Sequence, residues 1–309
     1  MKLSIIIPVY NSSKYLERCI DSVLDSLGTI NGEILLVDNY STDDSLSLLK
    51  KYAKKYPKII SVFRCKTKGA AAVRNYGFKK SQGRYVWFID ADDYITTDAI
   101  PKLLKTADDN DADIVMMGAE RIYGNEDRNY LSPVSPDEPN YKSRFVRYGM
   151  GPWQVLVRRE WWQRCGFSFK EGFIHEDMEM MSSLILFTDN FACVDEPLYY
   201  YCQNTGSVLH NRKFNKHIFD IFPALEGLYQ RFKDAGAEKE YHDELEWFFI
   251  WNLLIDSAKD FAQFPEGRVG FARSREMLKR YFPDWRKNQF LKTKPLKLRV
   301  RVRMNYYTK

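Results

Sequence analysis

The sequence predicts an α/β protein: a mostly parallel sheet flanked by helices, followed by a helical carboxyl-terminal extension. Two observations carry that prediction. Short apolar runs alternate with helix-periodic segments through the first part of the chain, the pattern of strands joined by crossover helices. The runs also stop at polar clusters, most plainly where Tyr85-Val86-Trp87-Phe88-Ile89 meets Asp90-Ala91-Asp92-Asp93. Ligands of open α/β sheets lie beyond the carboxyl ends of the strands, so these clusters are the first candidates for function.

Ile5 to Val9 reads as the first strand. After Pro8-Val9-Tyr10-Asn11, the residues Leu16, Cys19, Ile20, Val23, Leu24 and Leu27 keep the spacing of a helix with one buried face. Glu33 to Val37 is the second strand and ends at Asp38. Ser41-Thr42-Asp43-Asp44 then resembles a capping box for the helix that carries Leu46, Leu48, Leu49 and Tyr52. Ile59 to Phe63 is the third strand, about Ala70 to Lys80 a helix, Tyr85 to Ile89 the next strand, and Ile114 to Met117 one more. Gly118 to Gly151, interrupted by Pro133, Pro136 and Pro139, has little periodicity and reads as a loop or lid.

Beyond Lys213 the pattern is helical, with Phe219, Phe222, Leu225, Leu228 and Tyr229 in one segment and Leu245, Phe248, Phe249, Trp251, Asn252 and Ile255 in another. The expected division is therefore residues 1–212 and 213–309. The aromatics of the extension pack against the first domain or, alternatively, mark a homo-oligomer interface. In the tail Leu296, Leu298, Val300, Val302 and Met304 alternate with Lys297, Arg299, Arg301 and Arg303. That is strand periodicity with a cationic face, suited to anionic lipid headgroups; a solvated edge strand or disordered tail is the alternative.

At 309 residues and 45% hydrophobic, the chain can bury a sizeable core. Its formal charge of +6 is concentrated in seven basic residues from Lys292 to Lys309, and the rest is near −1. Nucleic acid is therefore not an expected partner. Five cysteines without a C-x-x-C pair argue against a disulfide framework and a thiolate metal site, and fit a reducing cytoplasm. The apolar run at the amino terminus is too short for a signal peptide, and no run reaches bilayer-spanning length. The expectation is a cytoplasmic protein, soluble or peripheral on the inner face of the membrane. No G-x-G-x-x-G follows a strand and no G-x-x-x-x-G-K-[ST] occurs, which argues against dehydrogenase and P-loop chemistry.

Asp90 and Asp92 can converge on one divalent ion if the chain turns at Ala91, and hard oxygen ligands suit Mg2+ or Mn2+ rather than zinc. A solvated Asp-rich turn is the alternative. His175-Glu176-Asp177 precedes Met180, Met181, Leu184 and Ile185 at helical spacing, so an acid pair opens an amphipathic helix. Its amino end keeps a carboxylate ionised and able to accept a proton. The alternative is that both acids only cap the helix.

Five motifs, in order and spacing, resemble family 2 glycosyltransferases of the GT-A fold: Ile6-Ile7-Pro8-Val9-Tyr10-Asn11, Val37-Asp38-Asn39-Tyr40-Ser41-Thr42-Asp43, Gly69-Ala70-Ala71-Ala72-Val73-Arg74-Asn75, Asp90-Ala91-Asp92-Asp93 and His175-Glu176-Asp177. The match covers the chain from Lys2 to about Arg212. The resemblance implies an inverting enzyme that moves a sugar from a nucleotide diphosphate, most simply UDP, to an acceptor hydroxyl in cell-surface polysaccharide or lipid-linked glycan synthesis. It makes Asp92 the principal metal ligand and gives Asp90 the metal through water or the ribose hydroxyls. Pro8, Val9, Tyr10, Asn11, Asp38, Arg74 and Ala91 join Asp90 on the donor side, with Asp38 accepting from the ring N–H of uracil and Tyr10 stacking on or packing beneath that ring.

Asp38 as a structural turn residue, and Arg74 paired with a strand-end aspartate rather than with phosphate, are the alternatives. Asn39 is a mild variant of the family pattern, Asn75 ties down backbone in its own loop, and Asp93 faces away as a cap or turn residue. Asp177 is the base, Glu176 its orienting or acceptor-binding neighbour, and Trp153 the acceptor contact. His210, in Gly206-Ser207-Val208-Leu209-His210, resembles a closing-loop ligand of metal or diphosphate. Two rival functions are a non-catalytic nucleotide-sugar-binding module, which would not need Asp177, and a metal-dependent nucleotidyltransferase, which would need a Gly-rich loop where this chain has Pro8-Val9-Tyr10-Asn11.

Overall fold

A computed structural model describes residues 1–123, 127–203 and 214–308. The chain forms two compact units. The first comprises Met1–Tyr141, Met150–Gly172 and Phe187–Ser207, and the second Lys142–Gly149, Phe173–Leu186 and Val208–Lys309.

The first unit is built on one sheet of nine strands: β1 (Leu3–Val9), β2 (Gly32–Asp38), β3 (Ile60–Arg64), β4 (Tyr85–Phe88), β5 (Tyr94–Ile95), β6 (Ile114–Tyr123), β7 (Asp127–Leu131), β8 (Val155–Arg158) and β9 (Phe191–Gln203). The order is β3-β2-β1-β4-β8-β6-β9-β5, with β7 paired to β6. The first four strands in that order are parallel. β8 then runs antiparallel to β4 and β6, so the sheet is mixed beyond β4. β1, β2 and β4 are almost wholly buried and mostly Ile, Leu and Val or aromatic, as a sheet covered on both faces requires, whereas β3, at the end of the sheet, is fully buried only at Ile60.

The covering helices are α1 (Ser13–Leu27), α2 (Ser45–Lys55), α3 (Ala70–Lys80) and α4 (Ala99–Asp109). Leu16, Cys19, Ile20, Val23 and Leu27 of α1 share a core with Ile5, Ile7 and Val9, with Leu49 and Tyr52 of α2, and with Ile100, Leu103 and Leu104 of α4. Ala72 and Val73 of α3 instead pack with Val37 and Cys65, residues of opposite parity along the strands. Gly77 lets α3 approach closely: a Cβ there would lie 2.5 Å from Ile6 Cγ2.

Three expectations are corrected. Gly118–Gly151 is not a loop: β6 continues to Tyr123, β7 folds back on it, and Tyr141–Tyr148 is a helix. Its alternation is hidden by Gly118, where a register shift against β9 interrupts the pairing. The helix expected after Asp177 is a single turn, Met178–Met181, followed by a 3-10 turn at Leu184–Phe187, so the axial dipole behind that acid pair is small. The tail is a helix, Leu296–Tyr307, rather than a strand. Alternation every second residue contains a spacing of four, and the helix uses it by burying Val302 and Tyr306.

In the second unit the helices Ile221–Asp234, His242–Trp251, Ser257–Gln263 and Val269–Tyr281 pack through aromatic pairs such as Phe222–Phe261 and Phe249–Phe282, with ring centroids 5.8 Å and 4.9 Å apart. Two earlier segments of the chain belong to this unit. Ser143 donates to Glu244 at 2.6 Å, and the amide of Ile174 donates to Asp220 at 3.2 Å. No helix among the described residues is long and apolar enough to cross a membrane.

Gly77→Ala is expected to lower stability by about 1–3 kcal/mol through overpacking against Ile6, measured as a lower urea midpoint. An unchanged midpoint would show that α3 has room the packing denies.

Candidate active site

The parallel strands β2, β1 and β4 are neighbours, and their carboxyl ends carry three of the motifs singled out in the sequence. Two of these ends turn through left-handed backbone, at Asn11 (φ 48°) and Tyr40 (φ 60°). Asparagine tolerates that conformation; for tyrosine it costs on the order of 1 kcal/mol. The two turns are tied together. The Asn11 amide donates to Ser41 Oγ at 3.1 Å, and the Thr42 amide donates to Asn11 Oδ1 at 2.7 Å.

Within the expected capping box Ser41-Thr42-Asp43-Asp44, Asp43 is the residue whose carboxylate meets amides at the helix start. The Asp43 carboxylate accepts from the amides of Ser45, at the start of α2, and Ser13, at the start of α1, both at 3.0 Å. Slight burial opposes ionisation, but these amide and hydroxyl interactions prevail and bring Asp43 down to about 2.

Asp38 is wholly buried. Its Oδ1 accepts from the Ser41 amide at 3.1 Å, and its Oδ2 pairs with Arg64 Nε at 3.1 Å. Arg64 in turn covers the Tyr40 ring, with its guanidinium 4.3 Å from the centroid. Each oxygen thus has one partner here, and a carboxylate oxygen has two lone pairs, so a uracil N–H that reached this buried group could be accepted beside them. Asn39 ties the following loop: its Nδ2 donates to the carbonyls of Cys65 and Thr67, and its Oδ1 accepts from the Gly69 amide at 2.9 Å.

The acidic turn is held from several sides. Arg74, buried on α3, donates to Asp90 Oδ1 at 2.8 Å, which is the ion-pair alternative for this residue. Arg18 of α1 donates to the backbone carbonyl of Asp92 at 2.8 Å and lies 4.4 Å from the Tyr94 ring centroid. Ala91 is buried, whereas Asp90 and Asp92 are half-buried.

Asp93 does not face away as a cap. It is fully buried, where Oδ2 accepts from the Tyr199 hydroxyl at 2.6 Å and Oδ1 from the Cys202 amide at 2.8 Å. The Tyr199 hydroxyl also accepts from the Asp90 amide at 3.2 Å. Burial, reinforced by the charges of Asp90 and Asp92, pushes the Asp93 carboxyl well above the usual range, against those two hydrogen bonds. Alternation in Tyr199-Tyr200-Tyr201 was the readable signal for this contact, since every second ring shares a face. Nothing in the sequence pointed to Arg18 or Arg64.

Of the remaining expected residues, Tyr10 is exposed, Pro8 half-buried and Val9 buried. Asn75 reaches well beyond its own loop, exchanging hydrogen bonds with the backbone of Phe169 at 2.8 and 2.9 Å. Trp153 is buried within the first unit, its ring stacked 4.6 Å from Tyr199 and 5.0 Å from Tyr201. Asp177, half-buried, and Glu176, buried, belong to the second unit. The Asp177 carbonyl accepts the amides of Met180 and Met181, but its side chain does not cap the turn. His210 lies outside the described residues.

Burial holds His175 below the usual imidazole range, against the pull of Glu176, Asp220 and Asp260. The unfolded chain therefore takes up that proton first as pH falls, and stability is lost below about pH 6.5. His175→Gln is expected to flatten the stability profile between about pH 7 and pH 5; an unchanged slope would show that His175 titrates alike in both states.

The family model for glycosyl transferase family 2 matches residues 4–167. The uncharacterized glycosyltransferase EpsJ of Bacillus subtilis (strain 168) is 30% identical over 256 residues, 77% of this chain and 72% of EpsJ. The poly(ribitol-phosphate) beta-N-acetylglucosaminyltransferase TarS of Staphylococcus aureus (strain Mu50 / ATCC 700699) is 27% identical over 254 residues, 79% of this chain but 43% of that longer protein. The crystal structure of S. aureus TarS 1-349 in complex with UDP-GlcNAc superposes with a TM-score of 0.78 at 19% identity, covering 99% of this chain and 89% of that one. The chain thus has the GT-A fold and belongs to glycosyl transferase family 2.

Proposed function

We propose that this glycosyltransferase moves a sugar from a uridine diphosphate donor, with inversion at the anomeric carbon, to a hydroxyl of a glycan or lipid-linked acceptor in the cytoplasm. The observation that carries the reading is the gathering of Asn11, Asp38, Asp90 and Asp92 at the ends of three adjacent parallel strands. The TarS complex with UDP-GlcNAc supports a UDP-sugar, and the name of that relative supports a cell-surface polymer as acceptor. Residues 1–212 are assigned the transferase domain and 213–309 the extension.

In this reading Tyr10 and Tyr40 flank the base, and Asp38 sets that end of the donor site through Arg64 and the Tyr40–Ser41 turn. Pro8, Val9 and Ala91 supply backbone and apolar contact. Arg74 holds the Asp90 carboxylate aligned toward the ribose, and faces the diphosphate when that pair loosens. Asp90 and Asp92 fit a magnesium or manganese ion: their donors are all oxygen, and they stand beside a third carboxyl that is driven up by burial and, after that, by their own negative charge. Such an ion would stabilise the negative charge that gathers on the departing diphosphate. Asp177 is assigned the base that takes the proton of the acceptor hydroxyl as that oxygen attacks the anomeric carbon, Glu176 orients it, and Trp153 supports the acceptor side from within the core.

Asp177→Asn is expected to cost at least ~100-fold in transfer with donor binding nearly intact, whereas Asp92→Ala weakens donor binding itself. Calorimetric titration with UDP-sugars, with and without divalent metal, separates the two; equal binding in both conditions would remove the role of Asp92. Inversion is read from the anomeric configuration of the product by NMR. Tyr199→Phe is expected to cost about 1–3 kcal/mol in stability and to raise KM for the donor, because the Asp90 amide and the Asp93 carboxyl lose a shared partner. A KM equal to that of the parent would confine Tyr199 to a packing role.

A further inference from the structure

The carboxyl-terminal helix Leu296–Tyr307 leaves a stripe of large apolar side chains in solvent: Leu296 (67% exposed), Val300 (45%), Met304 (66%) and Tyr307 (65%). At 3.6 residues per turn these four fall within about 80° of one another on the helix surface. The opposite side is the one that packs, through Val302 and Tyr306, with the Asn305 side chain donating to the Leu254 carbonyl at 2.8 Å. By the same rotation Lys297 and Arg301 border the apolar stripe on one side, and Arg299 and Arg303 on the other. Arg275 fixes the end of the helix by donating to the Tyr306 carbonyl at 3.1 Å, and Arg286 donates to the Tyr307 hydroxyl at 2.9 Å. No acid follows Asp284, while Arg286, Lys287, Lys292 and Lys294 add to the same charge.

We propose that this helix seats the protein on an anionic lipid surface, with Leu296, Val300, Met304 and Tyr307 entering the boundary between headgroups and acyl chains and the flanking cations meeting lipid phosphates. A stripe of apolar side chains between two rows of cations is the form of a helix that lies in the plane of a membrane interface. A second copy of this chain would bring like charges face to face, which disfavours self-association through the stripe. Nucleic acid would use the cations but leave the apolar stripe in water. The inference is independent of the reaction assigned above, since it concerns one helix of the second unit and no residue given a role in transfer.

The test is co-sedimentation of the full chain with phosphatidylcholine vesicles with and without phosphatidylglycerol. Binding is expected only to the anionic vesicles and should weaken as salt is raised. Lys297→Glu with Arg301→Glu and Arg303→Glu should reduce it by about 100-fold or more, at roughly fivefold per cation near the surface. Leu296→Ser with Met304→Ser should also reduce it with the charge unchanged. All five substituted positions are exposed and none is packed in the core, so an unchanged melting curve checks that each variant folds. Equal binding to both vesicle types, insensitivity to either variant, a lipid-free dimer abolished by the serine pair, or equal retention on a duplex oligonucleotide by parent and serine pair with no vesicle binding would each overturn the proposal.

Discussion

Much of the first unit's order at the strand ends depends on one buried carboxyl. Asp93 lies under the acidic turn with no access to solvent, and its two oxygens are taken by the Tyr199 hydroxyl and the Cys202 amide. A buried polar group is costly unless satisfied, so β9 cannot shift against the turn without exposing that cost. Tyr199 also accepts from the Asp90 amide, so one hydroxyl links the floor of the turn to its first acid. The stacked ring of Trp153 holds Tyr199 in place from the side, and the Trp153 carbonyl accepts from Trp87 Nε1 at 2.8 Å.

Around that latch, charge is arranged rather than merely collected. Arg74 reaches Asp90 from α3, and Arg18 reaches the Asp92 carbonyl from α1. The two guanidinium groups therefore come from helices whose core residues pack with strand residues of opposite parity, and they bracket the turn. The neighbouring strand ends are cross-linked in the same spirit, with Asn11 and Asp43 joining the β1 and β2 turns and Asn39 fixing the loop before α3. Pre-set geometry of this kind reduces what must be ordered when a ligand arrives.

The parallel half of the sheet was legible because its strands are continuous apolar runs and its helices keep a clean three-and-four spacing; α3 was expected at about Ala70 to Lys80 and is found there. The strands beyond β4 were harder. The turn before β8, with Trp153, and β9 carry aromatics that serve equally well as core or as ligand wall, and β6 is broken by a register shift at Gly118. The tail misled because alternation every second residue also satisfies a helix that buries Val302 and Tyr306. Among site residues, the acids showed themselves through their position at strand ends, whereas Arg18 and Arg64 act from ordinary polar positions that no motif marks. Asp93 was misjudged for a different reason: three acids within four positions say nothing about which one the chain turns inward.

The second unit takes segments from the middle of the chain, Lys142–Gly149 and Phe173–Leu186, as well as the carboxyl-terminal residues. Glu244 holds Ser143, Asp220 holds the Ile174 amide, and the Arg147 guanidinium lies 4.0 Å from the Phe290 ring. Cutting the chain near residue 212 would strip those two excursions of their partners and leave apolar side chains such as Phe145 and Met180 without cover. A transplant of the second unit into another scaffold would have to carry three separate stretches of chain, so evolution and engineering alike cannot move it as one contiguous cassette.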